Sequence, residues 1–511
     1  MAYGNKPKTD TFILTLPLVT HEQEEVFLQE SFDRYRHAYN WLVEKTLKEW
    51  HQLRKTRVYK KLEEQIRNAK KCDRKELYEI RNKMLQKHGF SKGDFEKMII
   101  PYRKYWHLKS SVTAKIANRV WYAWQKFLFG KGKAVHFKSF DAFTSFAAKT
   151  NDTGARFKNE EQPFVLIEDR KFFVAMRNGS TGEYQREALK HDAKYCTIKR
   201  VMIRGRWRYF AQIALAGHAP YKHDRQGTAK RPVIHGVVGI DIGTQTIAVY
   251  GRDICDIRLL APSAVAELRD GLVRRISIIQ RKMDRSRRAT NPEYFNKNGT
   301  IKKLRRVNGK KQRREWKYSN NYIRLRNEYR ELNRRLAAIR KMEHCMLANE
   351  LLEHGTIFVV EDMDYKALQK RAKETKINEK TGRAHSKKRY GKSIGRCAPA
   401  MFISTLSQKA ARYNGRVVKV STFKTKASQF DHTDESYTKK KLSQRFAKLS
   451  DGTVVQRDIY SAYLLFHLNG NLKTYNVKTL EEDFPQFMEL HNTTKKRLQN
   501  SHDWLPASVG F

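Results

Sequence analysis

Two short apolar runs, each ending on a carboxylate, constrain this 511-residue sequence more than any other feature. Val237-Val238-Gly239-Ile240-Asp241 and Phe358-Val359-Val360-Glu361 both read as strands, and the first turns at Gly243 into another over 246–250. Between them Ile276, Ile279 and Met283, then Leu325, Tyr329, Leu332, Leu336 and Ile339, recur at helical spacing. They predict two long antiparallel helices joined by a polar connector at about 290–318. A basic loop over 365–396, a helix over 401–413, a strand over 417–420, a polar insert and a last helix from about 455 follow. Strand–helix alternation of this kind predicts an α/β domain. No repeat of 20–50 residues is visible.

The first half has a different texture. A strand over 12–16 precedes Thr20 and Gln23, which have capping-box spacing. Leu28, Phe32, Tyr35, Tyr39 and Leu42 then mark one helix, with charged helical stretches over 60–86 and 113–129. Over 195–215 the pattern alternates, hinged at Gly205, with Trp207, Tyr209, Ala211, Ile213 and Leu215 on one face of a β-hairpin. Residues 219–235 read as a linker.

Charge narrows the function. Lys and Arg number 104 against 53 Asp and Glu, a formal net charge of +51. That field argues against a small-metabolite enzyme with an average surface and selects a polyanionic partner. Much of it is local: residues 271–341 hold 24 basic against 5 acidic residues, and 365–396 hold 12 against 2. No apolar run approaches the ~18–20 residues that span a bilayer, and the first ten residues lack a signal-like stretch. The five cysteines (Cys72, Cys196, Cys255, Cys345, Cys397) are far apart, with neither a disulfide framework nor a cysteine zinc site. A cytoplasmic, nucleoid-associated nucleic-acid protein is expected.

Three carboxylates stand out. Asp241 and Glu361 end apolar strands, and Asp458 opens the last helix. A carboxylate in such a place is unfavourable unless something cationic meets it. Together the three suit one or two Mg²⁺ ions, hard cations that prefer carboxylate oxygen. Two such metals ~4 Å apart activate a water and stabilise the leaving oxygen of a phosphodiester. The competing reading pairs each carboxylate with a nearby arginine. Asp362 and Asp364 are weaker candidates. The run Gly239-Ile240-Asp241-Ile242-Gly243-Thr244 also resembles the first phosphate loop of actin-like and chaperone ATPases. That family's later phosphate and adenosine loops have no counterpart over 355–470.

In order, VVGIDIGTQTIAVYG, FVVEDMDYKAL and VQRDIYSAYLL resemble the three motifs of the RuvC-like nuclease core in TnpB, the transposon-encoded RNA-guided nuclease, and in the compact type V CRISPR effectors. The opening helix with Tyr39-Asn40-Trp41, the β-hairpin and the Arg-rich helices resemble that family too, so coverage runs from about residue 10 to 468. The resemblance implies a multidomain α/β chain: a β-barrel-like wedge over 1–19 and 135–218 and a helical recognition region over 20–134. After the linker it implies an RNase H-like (RuvC) nuclease domain with inserted helices over 236–420 and 455–470, a target-nucleic-acid-binding insert over 421–454 and a tail over 471–511. It makes Asp241, Glu361 and Asp458 the metal-binding catalytic residues, with two Mg²⁺ ions as cofactors. Guide RNA, double-stranded target DNA and single-stranded DNA are the implied partners, and no membrane is involved. Arg287, Arg288, Arg313, Arg314 and Arg445 are candidate backbone contacts, and Tyr39, Trp106, Trp121 and Trp124 are aromatics of the recognition region, read mainly as core. The implied activity is RNA-guided DNA cleavage; a guide-dependent repressor that binds without cutting is the alternative.

One departure is notable. The family carries a four-cysteine zinc ribbon before its third motif, whereas residues 421–457 contain no cysteine, and His432 alone cannot hold zinc. The insert is therefore expected to be held by packing and hydrogen bonds, without zinc.

Overall fold

The computed structural model describes residues 10–500, 509 and 510, except 71–72, 131, 222, 224–225, 227–232, 262–265, 305, 308–309, 312–313, 372–373, 376, 378–381, 383–389 and 441–443. The chain forms two compact units that divide near residue 230.

In the first unit β1 (Thr11–Pro17) leads into α1 (Glu22–Lys55), and Leu28, Phe32, Tyr35, Tyr39 and Leu42 are buried along it as the spacing predicts. The helix opens one residue later than Thr20 and Gln23 suggest. His21 is the N-cap, and its backbone N–H donates to Glu24 Oε2 at 2.8 Å. An ionised carboxylate in the first turn suits the helix dipole better than a neutral amide does. Thr56 ends α1 and caps α2 (Arg57–Asn68), its hydroxyl accepting from Tyr59 N–H. Then come α3 (Arg74–Lys87), α4 (Lys92–Met98), α5 (Ile100–Tyr105) and α6 (Ser110–Leu128). α6 packs on α1, where the buried Trp124 indole donates to Thr46 Oγ1 at 2.9 Å. Trp124 and Tyr39 are thus core, whereas Trp106 is 53% exposed.

The β part holds β2 (Ser145–Ala147), β3 (Ala155–Lys158), β4 (Phe164–Ile167), β5 (Arg170–Phe173), α7 (Gly179–Leu189), β6 (Ala193–Ile203) and β7 (Arg206–Ala216). Arg204 (φ 50°) and Gly205 (φ 81°) make the β6–β7 turn, and a type I′ hairpin needs positive φ at both positions. Tyr209, Ala211, Ile213 and Leu215 are buried on the expected face. The barrel-like closure expected of this region is not found. The strands form an open sheet, β1-β7-β6-β2, and a separate three-stranded sheet, β3-β4-β5. Closure needs long tilted strands with a staggered register, and β2 has only three residues.

The second unit is built on a five-stranded sheet in the order β10-β9-β8-β13-β14. Its strands are β8 (Val237–Ile242), β9 (Thr246–Gly251), β10 (Ile254–Leu259), β13 (Ile357–Glu361) and β14 (Arg416–Val420). β8, β13 and β14 run parallel, and β8, β9 and β10 antiparallel. Between β10 and β13 lie α8 (Ala266–Thr290), the two-residue strands β11 (Arg306–Val307) and β12 (Lys310–Lys311), and α9 (Asn320–Leu351). α8 and α9 are antiparallel and bury Leu272, Ile279, Leu325 and Leu332 between them. α10 (Tyr365–Leu368), α11 (Gly391–Cys397) and α12 (Pro399–Ala410) precede β14. After it come α13 (Thr422–Thr425), β15 (Phe446–Lys448), β16 (Val454–Gln456), α14 (Arg457–Phe466) and α15 (Val477–Asn500).

Period two sorts the sheet into faces. Val238, Ile240, Phe358 and Val360 pack with Leu347 and Leu351 of α9 and with Phe402 and Leu406 of α12. Ala248, Tyr250 and Val359 pack on the other side with Ile459, Tyr460, Ala462 and Tyr463 of α14. Gly239 allows that contact: a Cβ there would meet Ala462 O at 2.1 Å and Phe466 N at 2.7 Å. Gly239→Ala must push α14 off the sheet, and an expected loss of about 3 kcal/mol is readable as a lowered urea midpoint. An unchanged midpoint would show that the helix is not clamped there.

Residues 471–511, expected only as a tail, contain α15, whose Leu480, Phe487, His491 and Leu498 are buried in the α14 core. His467, between α14 and α15, is buried beside Tyr463, with Nδ1 3.1 Å from Thr479 Oγ1 and Nε2 3.2 Å from Asp483. Burial drives its pKa from 6.5 down to about 4, outweighing the opposing Asp483 charge. The folded pKa is depressed, so the unfolded chain takes up the proton first. Stability is intact above pH ~6.5 and falls as pH drops toward ~4. His467→Gln should flatten the melting-temperature decline in that window; an unaltered slope would assign the decline to other groups. Among the described residues no helix is long and apolar enough to cross a membrane.

Candidate active site

Strand register brings the first two carboxylates together. Val359 pairs with Gly239 and Val360 with Ile240, so Glu361 comes level with Asp241 on the adjacent strand, ~4.8 Å across the sheet. Both share the parity of Gly239 and Val359 and therefore face α14. Asp458 stands in the first turn of α14, the helix that Gly239 admits against β8.

The electrostatics register this convergence. Burial pushes the Asp241 carboxyl well above the usual carboxylate range; the charges of Asp458 and then Glu361 raise it further, and Arg457 opposes them. Burial also raises Glu361, against hydrogen bonds from the Ala427 backbone N–H and the Thr425 hydroxyl. Asp458 has an arginine partner, with Arg457 Nη2 2.9 Å and Nε 3.1 Å from Oδ1. The arginine-pairing alternative thus holds for Asp458. Among the described residues no ion pair reaches Asp241 or Glu361. Asp362 and Asp364 are engaged elsewhere, the first with Lys419 at 3.4 Å, the second capping α10 through Ala367 N–H at 2.9 Å.

Three clustered carboxylates offer the hard oxygen donors that Mg²⁺ prefers, and their mutual repulsion is what a cation would relieve. As they stand they are not drawn into a cage. Among the described residues no three His, Cys, Asp or Glu side chains already stand at metal-holding geometry, so Asp241, Glu361 and Asp458 would have to close on a cation to hold it.

Two neighbours of the site were not singled out in the sequence, Tyr365 although it lies within the second motif and Thr425 because it lies outside all three. The Tyr365 hydroxyl is buried without a hydrogen-bond partner among the described residues; burial, then Asp241, Asp362 and Glu361, suppress its ionisation. Thr425, buried in the insert, donates to Glu361 Oε1 at 3.5 Å, and its backbone carbonyl accepts from Tyr475 OH at 2.8 Å. The insert itself is pinned by hydrogen bonds. Asp431 accepts from the backbone N–H and hydroxyl of Thr433 and of Ser450 at 2.8–3.1 Å, and His432 Nδ1 lies 2.7 Å from Tyr460 OH.

Of the candidate basic contacts, Arg287 pairs with Asp284 at 2.9 Å and lies over the Trp316 ring at 5.2 Å. Arg288 Nε donates to Asp284 O at 3.3 Å. Arg314 lies over the Tyr294 ring and donates to Lys302 O, and the backbone carbonyl of Arg445 accepts from Arg457 N–H. These contacts order the α8–α9 connector and the insert; of the four, Arg288 is exposed and Arg287, Arg314 and Arg445 are partly buried. Arg313 lies outside the described residues.

No protein-family model and no curated protein sequence matches the chain. Solved structures similar to it include two cryo-EM complexes. A Cas12f1–sgRNA–target DNA complex is 12% identical, with 91% of this chain and 100% of that chain covered, at a TM-score of 0.46. A CRISPR-Cas12f ternary complex is 13% identical with the same coverage and a TM-score of 0.26. A likeness at that level leaves function to be argued from the residues of the site.

Proposed function

We propose that the chain is an RNA-guided DNA endonuclease that cuts guide-complementary DNA by Mg²⁺-dependent phosphodiester hydrolysis at Asp241, Glu361 and Asp458. The observation that carries this reading is the convergence of those carboxylates on the α14 face of the sheet, close enough for Asp458 and Glu361 to raise the Asp241 pKa. Three like charges held together within a chain of net charge +51 are unfavourable for folding alone. Mg²⁺ bound there would supply a nucleophilic water and neutralise charge at the leaving oxygen. The chain's own residues set the geometry. Thr425 and Ala427 N–H fix the Glu361 carboxylate, and Arg457 holds Asp458 until a cation competes for it. The basic surface would bind a guide RNA and its DNA target through their backbones, with base pairing supplying sequence choice. A guide-dependent repressor would share the architecture without needing all three carboxylates.

The test is to purify the protein with its co-expressed RNA and add matched plasmid with Mg²⁺. Linearised plasmid, absent with unmatched plasmid or with EDTA, is the expected result. Matched binding without cutting would establish the repressor, and RNA-independent nucleotide turnover would establish an ATPase.

A further inference from the structure

Two of the three site carboxylates are supplied with donors. Thr425 Oγ1 lies 3.5 Å from Glu361 Oε1, and the Ala427 N–H supports the same group. Arg457 holds Asp458 at 2.9 Å. Among the described residues no such donor reaches the Asp241 carboxylate, although burial and two neighbouring charges act against it. The same neighbourhood holds a donor without an acceptor. Tyr365 stands in the first turn of α10, just beyond the Glu361 that ends β13. That segment is tied down on both sides: Asp364 accepts from Ala367 N–H at 2.9 Å, and Asp362 N–H donates to Val420 O of β14 at 2.8 Å. The Tyr365 ring lies in the core that contains Ile242, Val360, Ile394 and Cys397. Its hydroxyl is buried with no hydrogen-bond partner among the described residues.

A buried hydroxyl left unbonded is unfavourable for folding, and such groups are few enough in native proteins that each calls for a reason. This one is within electrostatic range of the site. Asp241 acts on it most strongly of the nearby charges, before Asp362 and Glu361, and with burial they keep the phenol protonated. A protonated phenol is a donor, and an ionised carboxylate only accepts. Of the three acceptors in range, Asp362 is exposed and paired with Lys419 at 3.4 Å, and Glu361 is served by Thr425 and Ala427. Asp241 is left. The bond is not made as the groups stand, but the carboxylates have to close on a cation in order to hold it. We propose that the Tyr365 hydroxyl donates to the Asp241 carboxylate when the site closes on Mg²⁺, and so fixes the orientation in which Asp241 binds the ion. Donors behind a metal ligand set its orientation and basicity in this way. Tyr365 is a positioning residue, touching neither the ion nor the DNA. The inference rests on the nuclease reading and deepens it at one ligand.

Tyr365→Phe removes the hydroxyl and keeps the ring. In the guide-loaded protein, the Mg²⁺ concentration that gives half-maximal cleavage of matched plasmid should rise about tenfold. Calorimetric titration of the full chain with Mn²⁺, which takes the same oxygen ligands, should show a similar weakening. In EDTA the melting temperature should stay level or rise, because an unpartnered buried polar group is gone. A tyrosine that serves only the fold would give the reverse: a lower melting temperature in EDTA and an unchanged dependence on metal. Either of those results overturns the proposal. The two readings fail separately. Cleavage persisting in Asp241→Asn removes the nuclease reading, whereas Mn²⁺ binding lost in Asp241→Asn yet unchanged in Tyr365→Phe removes the role of the hydroxyl alone.

Discussion

Asp241→Asn should lower the rate of matched-plasmid cleavage at least about 1,000-fold, the equivalent of about 4 kcal/mol of transition-state stabilisation that a bound metal supplies. Asparagine keeps the shape of the side chain and removes its charge, so binding of guide and target should be retained. The same change should raise the melting temperature in EDTA. Burial and the Asp458 and Glu361 charges hold the Asp241 carboxyl well above the usual range. A raised folded pKa means that this group favours folding at acid pH and opposes it once ionised near neutrality. Removing the charge relieves that opposition, as expected of a residue kept for activity at a cost in stability. Glu361→Gln should behave alike. Asp458→Asn should gain less stability, because Arg457 already pairs with Asp458 at 2.9 Å. Undiminished cutting by a triple alanine variant would remove these residues from the chemistry, and a lowered melting temperature in Asp241→Asn would remove the electrostatic account.

The second large effect concerns the α8–α9 arm. Arg269 Nη1 meets Glu343 Oε1 at 2.8 Å with both side chains nearly enclosed, at 5% and 3% exposure. Beside them His344 Nε2 lies 2.8 Å from Cys397 O, tying α9 to α11. Glu343→Gln removes the close, enclosed partner of the buried Arg269 charge, leaving the half-exposed Asp270 at 3.8 Å, and should destabilise the second unit by about 3 kcal/mol. The double variant Arg269→Met, Glu343→Leu should recover most of that loss, because well-packed apolar side chains replace a buried pair at little net difference. Urea unfolding measures both. Equal losses in the single and double variants would show that packing volume, rather than the weakened pairing of the buried charge, carries the effect.

Much of the fold was legible in sequence because the relevant signals are local. The spacing of Ile276, Ile279, Leu325 and Leu332 predicts paired helices; Ile279, Leu325 and Leu332 lie in the seam between α8 and α9, with Ile276 packed against it. Alternation over 195–215, hinged at Gly205, predicts the hairpin, and the face bearing Tyr209, Ala211, Ile213 and Leu215 is buried. α15 escaped the sequence reading: its apolar residues are sparse, Pro485 interrupts its pattern, and its burial comes from contacts with α14 and β10. Barrel closure was misjudged because strand length and edge pairing depend on neighbours distant in sequence, and β2 turns out to be three residues long.

The site divides in the same way. The sequence alone singled out the three carboxylates as candidates, since a charge ending an apolar strand is anomalous wherever it occurs. It also gave the net charge of +51 from which a polyanionic partner is proposed, because charge needs no fold to be counted. Only the tertiary structure decided that Asp241 and Glu361 face the helix that carries Asp458, through the β8–β13 register and the space that Gly239 leaves for α14. It likewise decided that Thr425 of the insert touches Glu361. Those are relations between segments 64 or more residues apart, set by strand register and close packing, and no local pattern of residue types encodes them.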